Sequence, residues 1–230
     1  MINDYYAVTH LDFASQTSLS ELSLILKVYS AHSVSNLHLA ATYDPRDSVL
    51  FHLGKTKKYF ALIKNAIPNR IKVTTVHTIP LIDRISSIPE LEKLSIKSGD
   101  LSYIYLSIPP GISNEIIINE IHHLIYKRKL YPIIVSFDKL RYLLSDTAFE
   151  TLYKIPDAIY QFDISSLQSE DSRASLKHLI KDRKTVIFGS GKHFDACLYK
   201  NIDYYFKQIR ISLGDIASAY VLLHNKKLFC

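Results

Sequence analysis

Residues 101–136 read L-S-Y-I-Y-L-S-I-P-P-G-I-S-N-E-I-I-I-N-E-I-H-H-L-I-Y-K-R-K-L-Y-P-I-I-V-S, and the pattern of apolar residues changes twice along them. Leu101 to Ser107 is a short aromatic and aliphatic run, which reads as a strand. Ser113 to Arg128 is amphipathic at helical spacing, with Ser113 placed as its N-cap. Tyr131 to Ser136 is again a compact apolar run and reads as a second strand. One stretch therefore holds a strand, a helix and a strand.

The same alternation extends outward in both directions. Further strands are expected near Ile2–Val8, Asn36–Thr42, Arg70–Val76, Ala158–Ile164 and Thr185–Gly189. Helical patterns occupy Ser18–Ala31, Leu50–Ala66, Asp146–Tyr153, Ser169–Lys181, Asn201–Ile211 and Leu213–Leu223. Repeated strand-helix units call for parallel strands joined by right-handed crossovers, in a closed barrel or an open doubly wound sheet; periodicity does not choose between them. No low-complexity linker or internal repeat divides the 230 residues, so one domain spanning 1–230 is expected.

Composition excludes several classes. Two cysteines, Cys197 and Cys230, are too few for a disulfide framework or a four-thiolate zinc site. No stretch has the ~20 apolar residues of a spanning helix, and the opening residues lack a signal-peptide pattern, so a cytoplasmic protein without an integral membrane segment is expected. The net charge of +6 is spread over small clusters such as Lys127/Arg128/Lys129, none long enough to be distinctive. Sixteen tyrosines are scattered along strands and helices rather than gathered as a stacking platform, so nucleic acid is not an expected partner. With six glycines and no G-x-G-x-x-G or P-loop motif, a nucleotide cradle is disfavoured. Ser190 sits in no nucleophile elbow and Cys197 in no phosphatase loop. His10 and Asp12 read as a surface loop, and His122 and His123, adjacent on a helix, point about 100° apart.

Several segments carry a family resemblance. Met1–Ala7, followed by Ser18–Glu21 at a helix start, is similar to an M-I-D-I-H-x-H opening. Pro132–Tyr142 resembles P-I-I-A-H-P-E-R-Y with a small insertion before Arg141. Tyr160–Leu167 resembles Q-I-N-A-G-S-L, Ile187–His193 resembles F-I-A-S-D-A-H, and the tail from Leu213 to Leu228 is similar to the closing Y-G-x-x-x-A-x-x-L-F-x-x-N-P-x-K-I. Together they resemble the CpsB/CapC bacterial tyrosine phosphatases, which are YwqE-like proteins with the PHP domain. The resemblance implies a distorted seven-stranded, TIM-like (β/α) barrel with its site at the C-terminal strand ends. It also implies a manganese-type cluster held by histidines and carboxylates, and a role against the tyrosine kinase that governs capsule or exopolysaccharide export.

Metal-assisted ester hydrolysis needs clustered ligands that neutralise phosphate and ionise a bound water. At the positions where the resemblance places them, this chain has Asn3, Tyr5, Ala7, Asp44, His77, Ser136 and Gly191, and only His193 is unchanged. Ala7 cannot coordinate. The expectation is a pseudophosphatase with no metal cofactor and no assigned catalytic residue, acting as a regulatory protein. It would bind a bacterial tyrosine kinase or its tyrosine-rich tail, with self-assembly left open. The alternative is an active phosphotyrosine phosphatase using manganese or another divalent metal on a reduced site of Asp44, His77 and His193.

Overall fold

The computed structural model describes residues 2–8, 26–27, 34–189, 207, 209–211, 213–214 and 228. Strands β1 (Ile2–Val8), β2 (Val34–Thr42) and β3 (Lys72–Pro80) open the sheet, with helix α1 (Val49–Ile63) between the second and third. A short strand β4 (Ile96–Ser98) turns through Gly99 into β5 (Leu101–Ser107), and α2 (Asn114–His122) leads to β6 (Leu130–Ile134). Then come α3 (Phe137–Leu140), α4 (Asp146–Tyr153), β7 (Ile159–Asp163), α5 (Glu170–Lys181) and β8 (Thr185–Gly189).

Seven strands pair in the order β1-β2-β3-β5-β6-β7-β8, every pair parallel, with β4 added antiparallel to β5. The order follows the chain without reversal, as in a barrel and unlike a doubly wound sheet. β1 and β8 come into contact, but among the described residues no ladder of hydrogen bonds joins them. The closed barrel expected from the sequence is thus barrel-like with one unsealed seam. Two register slips bend β1, between Ile2 and Asn3 and between Asp4 and Ala7, so the edge offered to β8 is irregular.

Side-chain alternation sorts the core onto two faces. One cluster, including Ala40, Val76, Tyr103, Tyr105, Ile133, Val135, Ile159 and Ile187, fills the concave side of the sheet. The other sits between the sheet and the helices and includes Ile79, Leu106, Ile134, Tyr160 and Phe162 from strands with Ile117, Leu152 and Leu176 from helices. Ser113 and Ser145 cap α2 and α4, accepting from the backbone N–H groups of Ile116 and Ala148 at 3.3 Å each.

The sequence reading ended the third strand at Val76, whereas β3 runs on to Pro80 because Thr78, Ile79 and Pro80 pair with Tyr105, Leu106 and Ser107. β4 went unforeseen; three residues with polar Lys97 and Ser98 carry no alternation of their own, and the hairpin is made by Gly99 at φ 59°. The helix expected at Ser18–Ala31 lies outside the described residues except for helical Leu26 and Lys27. So do His10, Asp12, Ser190 and Cys197, and most of the helices expected at 201–211 and 213–223.

Candidate functional site

The C-terminal ends of parallel strands are where the side chains of neighbouring strands can converge without interruption by the ladder. At the end of β7 the period of two sends Ile159, Gln161 and Asp163 to the concave face, and Gln161 and Asp163 are almost wholly buried there. Immediately after β6 the chain turns at Ser136, whose φ of 50° is left-handed, and enters the short helix α3 with Asp138 and Lys139. Five polar side chains therefore meet at one mouth.

Their hydrogen bonds link all five residues. The Ser136 backbone N–H donates to Gln161 Oε1 at 2.7 Å, and the Ser136 hydroxyl lies 3.2 Å from each Asp163 carboxylate oxygen. Gln161 Nε2 donates to Asp163 Oδ1 at 3.0 Å, and Lys139 Nζ forms an ion pair with Asp163 Oδ2. The Asp163 backbone N–H donates to Asp138 Oδ1 at 3.1 Å. Asp138 Oδ2 is buried with no hydrogen-bond partner among the described residues.

Burial, with the Asp163 charge added, pushes the Asp138 carboxyl up to about 6. The Asp163 backbone N–H and the Lys139 charge temper that rise, while the Ser166 hydroxyl donates to the Asp163 carbonyl oxygen at 2.6 Å. Burial pulls the Lys139 ammonium down, and the Asp163 carboxylate more than reverses this, so Lys139 is held charged. The mouth thus contains two acidic side chains and one internal cation.

Of the residues singled out from the sequence, Ser136 belongs to this network. Asn3, Tyr5 and Ala7 lie on β1, whose side chains are outside the described residues, as are Gly191 and His193, which follow β8. Asp44 is 41 % exposed and bound by Arg46 in the loop after β2, with Nη2 at 2.6 Å and Nε at 3.0 Å. The Arg46 guanidinium holds the Asp44 carboxyl well down, at about 2.

His77 is placed inside β3 rather than at its end, and it shares a face with Ile79, toward the helices. There its Nδ1 meets His52 Nε2 of α1 at 3.0 Å, with Tyr43 edge-on to His52. Burial, and then the His52 charge, lowers the His77 imidazole to about 4, and burial lowers His52 as well. The proposed trio of Asp44, His77 and His193 therefore has its first member tied to Arg46 and its second turned to the helix layer.

Sequence reasoning missed His52, Asp138, Lys139, Gln161 and Asp163 as site residues. The last four lie within segments already compared with the family, and a signal was present: Gln161 and Asp163 two apart at the end of an apolar strand are polar groups on a buried face.

The oxygen donors of the mouth suit a hard divalent cation in kind. In this arrangement they do not fit one, because Lys139, the Ser136 hydroxyl and Gln161 Nε2 occupy the Asp163 oxygens, while Gln161 Oε1 is taken by the Ser136 N–H. Among the described residues no group of three or more histidine, cysteine, aspartate or glutamate side chains is arranged to hold a metal ion. No helix among them is long and apolar enough to cross a membrane.

No protein-family model matches the chain. No curated protein matches its sequence. A solved structure does match in shape: a chain from the crystal structures of YwqE from Bacillus subtilis and CpsB from Streptococcus pneumoniae, unique metal-dependent tyrosine phosphatases. The likeness has a TM-score of 0.66 at 12% sequence identity and covers 99% of this chain and 94% of the other. This chain shares their fold.

Proposed function

We propose that this chain is a non-catalytic relative of the metal-dependent tyrosine phosphatases, a pseudophosphatase that keeps the barrel-like frame as one domain and uses it for binding. Its partner would be a bacterial tyrosine kinase or that kinase's tyrosine-rich tail, its setting the cytoplasm, and its pathway capsular or exopolysaccharide synthesis.

One observation carries the reading: the Lys139 ammonium stands against Asp163 at the strand ends, where the family resemblance places the cations. A fixed internal cation supplies the charge balance that buried carboxylates require, and it does so without generating hydroxide. Ser136 supports the same reading, since its short hydroxyl hydrogen-bonds Asp163 where the resemblance expects a ligand imidazole.

The rival reading is an active phosphotyrosine phosphatase with a reduced metal site. It draws on the buried Asp138, whose Oδ2 is without a hydrogen-bond partner among the described residues. Turnover of a phosphotyrosine peptide in the presence of manganese separates the two. The pseudophosphatase gives a rate indistinguishable from a blank; release of phosphate that disappears in Asp163→Asn would establish the hydrolase.

A further inference from the structure

On the outer side of the sheet, between α3, α4 and α5, lies a cleft of about 330 Å³, at the lower end of the range of small-molecule sites. Its wall is aromatic. Phe137 stacks on Phe149 with ring centroids 4.9 Å apart, and Tyr153 continues the surface. Arg141, Glu150 and Asp182 line the same cleft, with His178 beside them.

Neither Arg141 nor Asp182 is neutralised by an ion pair among the described residues. The Arg141 guanidinium lies over the Phe149 ring at 6.0 Å from its centroid. Asp182 accepts the Tyr153 hydroxyl and forms no ion pair among the described residues. Glu150, the other acid in the cleft, is tied to Lys154 at 3.3 Å. A cation and an anion that line one cleft with no ion pair among the described residues, beside an aromatic wall, describe the complement of a zwitterion with an aromatic body.

We propose that this cleft is a binding site for an aromatic α-amino acid. The ring packs against Phe149 and Tyr153, the carboxylate is held by the Arg141 fork, and the ammonium faces Asp182. The cleft is separate from the strand-end mouth, because Phe137 belongs to the core between sheet and helices, whereas Asp163 faces the concave side. A phosphate dianion suits it less well, since Asp182 and Glu150 would both repel the second charge.

The test is calorimetric titration of the full chain with phenylalanine and tyrosine, and with two truncated probes, 3-phenylpropionate and phenethylamine. Phenylalanine or tyrosine should bind, each truncated probe at least about tenfold more weakly, since each leaves one charge of the cleft unpaired. Arg141→Gln and Asp182→Asn should each weaken amino-acid binding by a similar factor. Both residues are exposed, so the fold should survive, and unchanged melting temperatures would show that it has. Absence of saturable binding by either amino acid, equal binding of the truncated probes, or variants that bind like the parent would each overturn the proposal.

Discussion

Lys139→Met removes the ammonium that neutralises Asp163 while keeping most of the apolar length of the side chain. Asp163 is 1 % exposed and Lys139 is 49 % exposed, so the pair lies between two well-characterised cases. Exposed ion pairs contribute about 0–1 kcal/mol, whereas removing one partner of a fully buried pair costs about 3–5 kcal/mol. The Ser136 hydroxyl and Gln161 Nε2 still serve the carboxylate in the variant, which further limits the loss. An intermediate cost of about 2 kcal/mol is expected, which for a chain of this size lowers the melting temperature by roughly 4–8 °C. Lys139→Arg keeps the charge and should stay within about 1 kcal/mol of the parent. Thermal unfolding by circular dichroism at neutral pH reads both variants. A Lys139→Met protein that melts with the parent at neutral pH would show that the ammonium is not what steadies the mouth.

Other outcomes follow from neighbouring groups. The Asp138 carboxyl sits at about 6 against an ordinary value of 3.8, so its native form holds a proton more tightly than the unfolded form. Stability is therefore lost as the pH rises from about 4 to about 6 and stays lost above that. Asp138→Asn, which can still accept the Asp163 N–H, should gain stability relative to the parent between those pH values; a flat difference in melting temperature would contradict the burial argument. His77 has the opposite sign: lowered to about 4 from 6.5, it contributes stability that is present above about 6.5 and lost as the pH falls toward 4. His77→Gln should flatten that acid limb in a pH series of melting curves. Asp44→Asn should barely move the melting temperature, because its ion pair with Arg46 is exposed, and a drop comparable to that of Lys139→Met would mean the loop after β2 is held by more than this pair.

Much of the strand-helix order was legible because apolar period is a local property. The strands at Leu101–Ser107 and Thr185–Gly189 and the helix at Asp146–Tyr153 occur with the expected bounds. Where a strand's length depends on its neighbour, local reading stopped short. β3 extends past Val76 because β5 lies beside it, and that extension places His77 within the strand, on its helix-facing side. The barrel-like order came from family resemblance rather than from period, which had left an open sheet equally possible.

The site was harder to read, for a physical reason. A search for metal ligands looks for histidines and carboxylates at expected positions and passes over a lysine. Lys139 becomes part of the mouth only when α3 turns it back to β7, a contact of 24 residues in sequence that no local pattern encodes. Asp44 illustrates the converse. Its residue type suited a ligand, but Arg46, two residues along, takes both oxygens.

At the strand ends the Lys139 ammonium, not a divalent cation, stands against the Asp163 carboxylate. Calorimetric titration of the dialysed protein with manganese, run beside Asp163→Asn, distinguishes the two. No stoichiometric uptake by the parent and no difference between the two proteins are expected. Tight binding of one or more equivalents by the parent, abolished in Asp163→Asn, would contradict this arrangement.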